Sequence, residues 1–137
     1  MRHLALDHGT RRIGVAISDE LNIIAQPLEF IPAEPESGVF ARVRELVTER
    51  QVERIIVGMP RNMDGTYGPA AEKVRAFIEA LRAHVAVPIQ TIDERLSTVQ
   101  ANRVLLQANV RRSDRKEKVD KMAAAILLQS YLDARPG

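Results

Sequence analysis

The sequence predicts an α/β domain built on a mixed five-stranded sheet: three antiparallel strands, then two strands parallel to the first, with helices on the flanks. Two observations carry this. Three β-rich runs joined by short turns open the chain, and apolar β-branched runs then alternate with helical spacing. Composition adds a third. The 137 residues suit one domain over 1–137, and at 4% aromatic content its core has to be aliphatic.

Leu4 to Leu6 is an apolar run that stops at an acid, Asp7. Gly9 and Thr10 follow, and Arg12 to Ile17 is a second β-rich run, so the pair reads as a hairpin with a carboxylate ending its first strand. Ile23 to Ile31 is a third run with Pro27 inside it. Proline cannot donate to a ladder on both sides, which predicts an edge strand. Val39, Phe40, Val43, Leu46 and Val47 recur at helical spacing, giving a helix over about Ser37–Arg50 with Ser37 as its N-cap. Glu53 to Gly58 reads as a buried parallel strand and runs into a turn-rich loop, Gly58 to Thr66. Pro69 opens a helix with the stripe Ala71, Val74, Phe77, Ile78, Leu81 and Val85. Val87 to Ile92 is another strand, ending abruptly in Asp93-Glu94-Arg95. Ser97 or Thr98 caps a helix to about Asn109, Arg111 to Lys116 is a basic linker, and a last helix runs from about Lys116 to Ala134. Its apolar side is Val119, Met122, Ala123, Ile126, Leu127 and Tyr131. The order β-β-β-α-β-α-β-α-α is the ribonuclease H-like pattern, with the first strand in the middle of the sheet.

The absence of cysteine excludes disulfides, a thiol nucleophile and thiolate metal sites. No apolar run is long enough to cross a bilayer and no signal-peptide pattern opens the chain, so a cytoplasmic protein with no membrane partner is expected. The net charge is only +2, but the basic excess gathers at Arg111, Arg112, Arg115, Lys116, Lys118 and Lys121. Such a cluster fits a phosphate backbone; it also fits an ordinary solvated helix start.

Three groups of acids converge. Asp7 ends the first strand, Asp93 and Glu94 end the last, and Asp120 stands early in the last helix. Parallel strands put the first two groups at the carboxyl edge of the sheet, where ligands of open α/β sheets bind. Asp120 shares a helix face with Ala123, Ala124 and Leu127, an inward-looking stripe. A buried carboxylate is costly unless paired or bound to a metal. Clustered carboxylates repel unless cations neutralise them, and oxygen-only ligands suit Mg²⁺ or Mn²⁺ rather than zinc. A pair of such ions can activate water and stabilise the leaving oxygen of a phosphodiester. Alternation alone does not choose between Asp93 and Glu94, which point to opposite faces. His3, His8 and His84 have no metal-pair spacing, although His8 adjoins Asp7. In the loop after the fourth strand, Arg61 could meet a phosphate and Asn62 and Asp64 a substrate, or the loop could be a well-formed turn. Arg95 could likewise hold a phosphate or pair with an acid.

Four ordered motifs together resemble the YqgF, or RuvX, family, similar to the RuvC Holliday junction resolvase. They are Asp7-His-Gly-Thr-Arg-Arg-Ile-Gly-Val-Ala-Ile-Ser-Asp19, Ile56-Val-Gly-Met-Pro-Arg-Asn-Met-Asp-Gly65, Asp93-Glu-Arg-Leu-Ser-Thr98 and Val119-Asp-Lys-Met-Ala-Ala124. The resemblance implies a ribonuclease H-like fold and a nuclease dependent on Mg²⁺ or Mn²⁺. It also implies roles in maturing the 5′ end of 16S ribosomal RNA and in resolving branched DNA. By the same resemblance Asp7, Glu94 and Asp120 match the acidic triad, which selects Glu94 over Asp93. RuvC-type resolvases carry two acids three residues apart in the last helix; here the corresponding extra position is Glu117.

The expected activity is therefore metal-dependent endonucleolytic cleavage of structured nucleic acid, either precursor 16S rRNA or a branched DNA. Arg111, Arg112, Lys116 and Lys118 would hold the backbone, and a homodimer would offer paired sites to a four-way junction. Two readings compete. An Asp-x-Gly-Thr loop also occurs in phosphotransferases of the actin and sugar-kinase type, but those need two such lobes and this chain supplies one. A non-catalytic RNA-binding factor with the same fold is the other, against which the retained acids count.

Overall fold

The computed structural model describes residues 1–62, 64–94 and 112–135, with side chains from 122 onward in the last of these stretches. Strands β1 (Arg2–His8), β2 (Arg12–Ser18) and β3 (Ala25–Pro32) come first. Helix α1 (Glu36–Glu49), strand β4 (Val52–Met59), helix α2 (Pro69–Arg82), strand β5 (Ile89–Asp93) and helix α3 (Arg112–Ala134) follow. The sheet order is β3-β2-β1-β4-β5. β1 pairs antiparallel with β2 and parallel with β4, and β4 pairs parallel with β5. The expected mixed sheet with β1 at its centre is the one observed, and the fold is ribonuclease H-like.

Strand alternation sorts the core into two layers. Leu4, Leu6, Ile13, Val15, Ile55 and Val57 face α1 and α2, where Val39, Val43, Leu46, Val74, Phe77 and Leu81 cover them. The other sheet face carries Ala5, Ala16 and Ile56 beneath Ala124, Ala125, Leu127, Leu128 and Leu132 of α3. The two faces differ in bulk. Large side chains fill the α1–α2 side, while small ones let α3 lie close to the sheet. A Cβ added at Gly58 would collide with the Leu127 side chain, and one added at Gly14 would stand 3.7 Å from the Ala124 Cβ.

Helix α3 runs against β1. Ala124 lies over Gly14, which pairs with Asp7 near the carboxyl end of β1. Further along, Gln129 accepts from the Ala25 N–H at 2.9 Å and donates to the Ile23 carbonyl at 2.9 Å. Tyr131 meets the His3 ring, 5.5 Å between centroids, at the amino end of β1. The first half of α3, including position 120, therefore belongs to the carboxyl edge.

Several element limits differ from expectation. β3 begins at Ala25 rather than Ile23, because the Asp19 carboxylate accepts the N–H groups of Ile23 and Ile24 (2.8 and 3.0 Å) and holds them in a turn. β3 is the edge strand expected from Pro27, and its register with β2 slips beside that proline. Ser37 does not cap α1. The helix starts at Glu36 after Pro35, whose carbonyl takes the Gly38 N–H at 3.0 Å. Most of the expected basic linker is helix: α3 is described from Arg112, and its arginines, lysines and glutamate are good helix formers with no proline or glycine to stop them. The buried stripe of α3 is rotated by about one position, to Ala124, Ala125, Leu127, Leu128 and Leu132; Met122, Ala123, Ile126 and Tyr131 are only partly buried. Leucines at 128 and 132 take the interior because they are wholly apolar, whereas the tyrosine carries a hydroxyl that prefers a polar rim. The helix expected over 97–109 lies outside the described residues. Among the described residues no helix is long and apolar enough to cross a membrane.

Gly58→Ala should lower stability by about 1–3 kcal/mol, as overpacking does. Leu127→Ala, by leaving a cavity, should cost about 2–5 kcal/mol. In denaturant melts the double variant should be less destabilised than the two single losses combined, because removing Leu127 makes room for the new methyl group.

Candidate active site

The site is a row of residues along the carboxyl edge, on the α3 face. Ala5 packs in the α3-side layer, so Asp7, two residues on, projects from the same face. Ile92 packs against that layer too, which puts Glu94 on the Asp7 side and Asp93 on the other. Leu6 pairs with Val57, leaving Gly58 beside Asp7, and Gly58 pairs with Ile92. A Cβ at Gly58 would sit 3.7 Å from both Cγ and Cδ of Glu94. Without side chains at Gly58 and Gly14, nothing on the floor stands between Asp7 and its neighbours on either hand.

Across that floor the Glu94 and Asp7 carboxyl groups meet and share a hydrogen bond. Burial first, then this bond and the negative charges of Asp7 and Asp93, push the Glu94 carboxyl up to about 7. Two carboxyl groups in hydrogen-bond contact must hold a proton or a cation between them. The donors are all oxygen, which fits Mg²⁺ or Mn²⁺ and does not fit zinc. Among the described residues no third acid or histidine joins the pair. Asp120 and Glu117 are on the first half of α3, at this edge, one and nearly two turns before Ala124.

The other expected residues are placed as follows. Asp93 forms an ion pair with Arg61, Nη1 to Oδ2 3.6 Å. Arg61 also donates from Nε to the Gly65 carbonyl at 3.0 Å and lies over the Tyr67 ring, 4.8 Å from its centroid. The loop after β4 is a tied turn. Asn62 exchanges backbone bonds with Thr66 and Gly65 (2.8 and 2.9 Å), and the Asp64 carboxylate accepts the Thr66 N–H and hydroxyl at 3.0 and 2.6 Å. Gly65, at φ +87°, occupies the left-handed region this turn needs. The loop thus stands against the acids through the Arg61–Asp93 pair. His8 is not a neighbour of the acidic pair: its ring packs on Phe77, 4.8 Å between centroids, on the opposite face, where burial lowers its pKa. His3 is buried, bonded to Asn22 and near Glu53, at the far edge. Arg112, Lys116 and Lys118 lie on α3; Arg95 and Arg111 lie outside the described residues.

Residue-level reading of the sequence passed over Gly14 and Gly58. The available signal was a run of small residues, Ala5, Gly14, Ala16 and Gly58, on one side of the sheet, broken by Ile56.

Without bound cation, the Glu94 carboxyl should make stability depend on pH. Its folded value lies near 7, above the ordinary 4.5. The folded chain therefore keeps a proton between those values that the unfolded chain has lost, and the contribution is full below about 4.5 and is lost as pH rises towards 7. Thermal melts in EDTA should show this decline, and Glu94→Gln should remove it.

Comparison with known proteins agrees with this architecture. The RuvX family profile, described as "Holliday junction resolvase", matches residues 1–134. The chain is 53% identical over 135 residues to a Symbiobacterium thermophilum protein named "Putative pre-16S rRNA nuclease", covering 98% of this chain and 94% of that one. A Desulforamulus reducens protein of the same name is 51% identical, with 98% of each chain covered. Among solved structures, the chain resembles T. thermophilus RuvC in complex with Holliday junction substrate (TM-score 0.56, 18% identity, 98% and 96% covered). It also resembles the fowlpox virus Holliday junction resolvase (TM-score 0.57, 16% identity, 98% and 100% covered). At those identities the solved structures speak to the fold alone. The family match over nearly the whole length, with relatives at about half identity, makes this chain a member of the RuvX family and a nuclease.

Proposed function

We propose that the chain is a divalent-metal-dependent endonuclease of structured nucleic acid, acting in the cytoplasm on the 5′ end of precursor 16S rRNA, on Holliday junctions, or on both. The observation that carries the reading is the contact between the Asp7 and Glu94 carboxyl groups at the carboxyl edge of the sheet. Asp7 and Glu94 would hold Mg²⁺ or Mn²⁺, with Asp120 as third ligand from the facing half of α3. When bound, such ions polarise the phosphate, lower the pKa of water and stabilise the leaving oxygen.

The chain's own groups prepare this. Glu94 gives up the proton it shares with Asp7 so that both carboxylates can bind. Asp93, turned to the other face and paired with Arg61, stays out of the ligand set and brings a guanidinium to the rim. Arg61, Asn62 and Asp64 on the tied turn would meet the substrate from the β4–β5 side, and Arg95 would add a further phosphate contact. Arg111, Arg112, Lys116 and Lys118 would hold the backbone by their charge, so binding should weaken as salt rises. A homodimer would place two such sites on a four-way junction.

The test compares wild type with Asp7→Asn on a synthetic four-way DNA junction and on precursor 16S RNA, with Mn²⁺ and with EDTA. Cleavage should need the metal and should fall at least about 100-fold in Asp7→Asn, a loss of about 3 kcal/mol in transition-state stabilisation. The better substrate identifies the role. Binding without cleavage of either substrate would instead favour a non-catalytic RNA-binding factor.

A further inference from the structure

The row of site residues does not end at Asp7. Asp7 pairs with Gly14 on β2, and Gly14 pairs with Phe30 on β3. Phe30 therefore projects from the same face as the acids, two strands away. A Cβ at Gly14 would be 3.6 Å from the Asp7 Cβ and 3.6 Å from the Phe30 Cε1, so those two atoms are no more than about 7 Å apart. Phe30 is 38% exposed, a high value for a phenylalanine. Arg12 sits over its ring, Cζ 3.9 Å from the centroid.

Beside the ring, Gly14, Pro27, Leu28 and Phe30 line a groove of about 320 Å³, opened where the β2–β3 register slips. The acid on its rim, Glu29, is neutralised by Arg42, which donates to both carboxylate oxygens at 2.9 and 2.8 Å. The groove is thus largely apolar, open and free of uncompensated negative charge, and the Phe30 on its wall stands on the Asp7 face of the sheet. A flat aromatic face with a guanidinium upon it is what an unpaired nucleobase stacks on, whatever its sequence.

Resting on the nuclease reading above, we propose that Phe30 and Arg12 form a stacking platform for an unpaired base about two nucleotides from the scissile phosphate. The base takes the guanidinium's place against the Phe30 ring, and Arg12, on its flexible stem, moves onto the phosphate of that nucleotide. At ~3.4 Å per nucleotide of a stacked strand, the ring lies about two nucleotides from Asp7. Phe30 is on this account a positioning residue: it fixes which phosphate reaches the acids, and it favours substrates with an unpaired or readily unpaired base there.

The experiment uses single strands of RNA and of DNA carrying 2-aminopurine at successive positions, with Mg²⁺, in an Asp7→Asn background that leaves the strand uncut. Bound to a chain with Phe30, the probe's emission should be quenched at one position. Phe30→Leu should abolish that quenching and weaken binding about 5- to 100-fold, while Phe30→Tyr and Phe30→Trp should keep both. Thermal melts establish that each variant folds; Phe30→Tyr carries the comparison if the leucine variant does not, since its ring should then quench at the same position. Cleavage by the chain with Asp7 intact is measured in parallel. Cleavage with unchanged quenching in Phe30→Leu, or with no quenching at any position, would overturn the platform and leave the nuclease standing. Neither binding nor cleavage would overturn both.

Discussion

Everything at this site depends on how near α3 comes to the sheet. Ala5, Gly14, Ala16 and Gly58 make one face of the sheet nearly smooth, and Ala124 and Leu127 settle onto the two glycines. That closeness buries the carboxyl edge. It forces Asp7 and Glu94 together under conditions where one of them holds a proton up to about pH 7. A looser helix would admit water, and two hydrated carboxylates would have no need of a cation. The small residues are therefore as much part of the site as the acids are.

The two faces of the sheet divide the work. The α1–α2 side is a conventional aliphatic core, with Phe40 and Phe77 its only buried aromatic side chains among the described residues. It can be bulky because no chemistry happens there, and the histidines it receives, His8 against Phe77 and His84 against Phe40, are packing groups. The α3 side is thin, and along its carboxyl edge runs Glu94, Gly58, Asp7, Gly14, Phe30: acids separated by glycines, ending in an exposed aromatic ring. The tied turn from Arg61 to Tyr67 closes one flank by pairing Arg61 with Asp93.

Much of this was legible in the sequence. Pro27 marked the edge strand, Pro69 the start of α2, and the β-branched runs the parallel strands, because each signal is local and steric. The acids converged from topology alone, since parallel strands share their carboxyl ends. What escaped were properties set by packing between distant segments. The residues alone leave Asp93 and Glu94 open and the resemblance selects Glu94; the physical reason, that Ile92 packs on the α3 side and so turns Glu94 towards Asp7, lies in the packing. The buried stripe of α3 was off by one position because Tyr131 and Leu132 compete for the same interior, and hydrophobic spacing does not rank them. Ser37 failed as a cap because Pro35, two residues earlier, already ends the loop. The purpose of Gly58 rests on Leu127, 69 positions later in the chain, and no local pattern announces it.

The most direct measurement is a calorimetric titration of Mn²⁺ into the wild type, Asp7→Asn and Glu94→Gln at one pH above 7, without nucleic acid. If the two carboxylates form one cation site, the wild type binds the ion and either substitution weakens binding by more than about 100-fold, beyond the roughly 10- to 100-fold that loss of a mere supporting group costs. Undiminished binding in Glu94→Gln would contradict a shared site, whatever the cleavage assays gave.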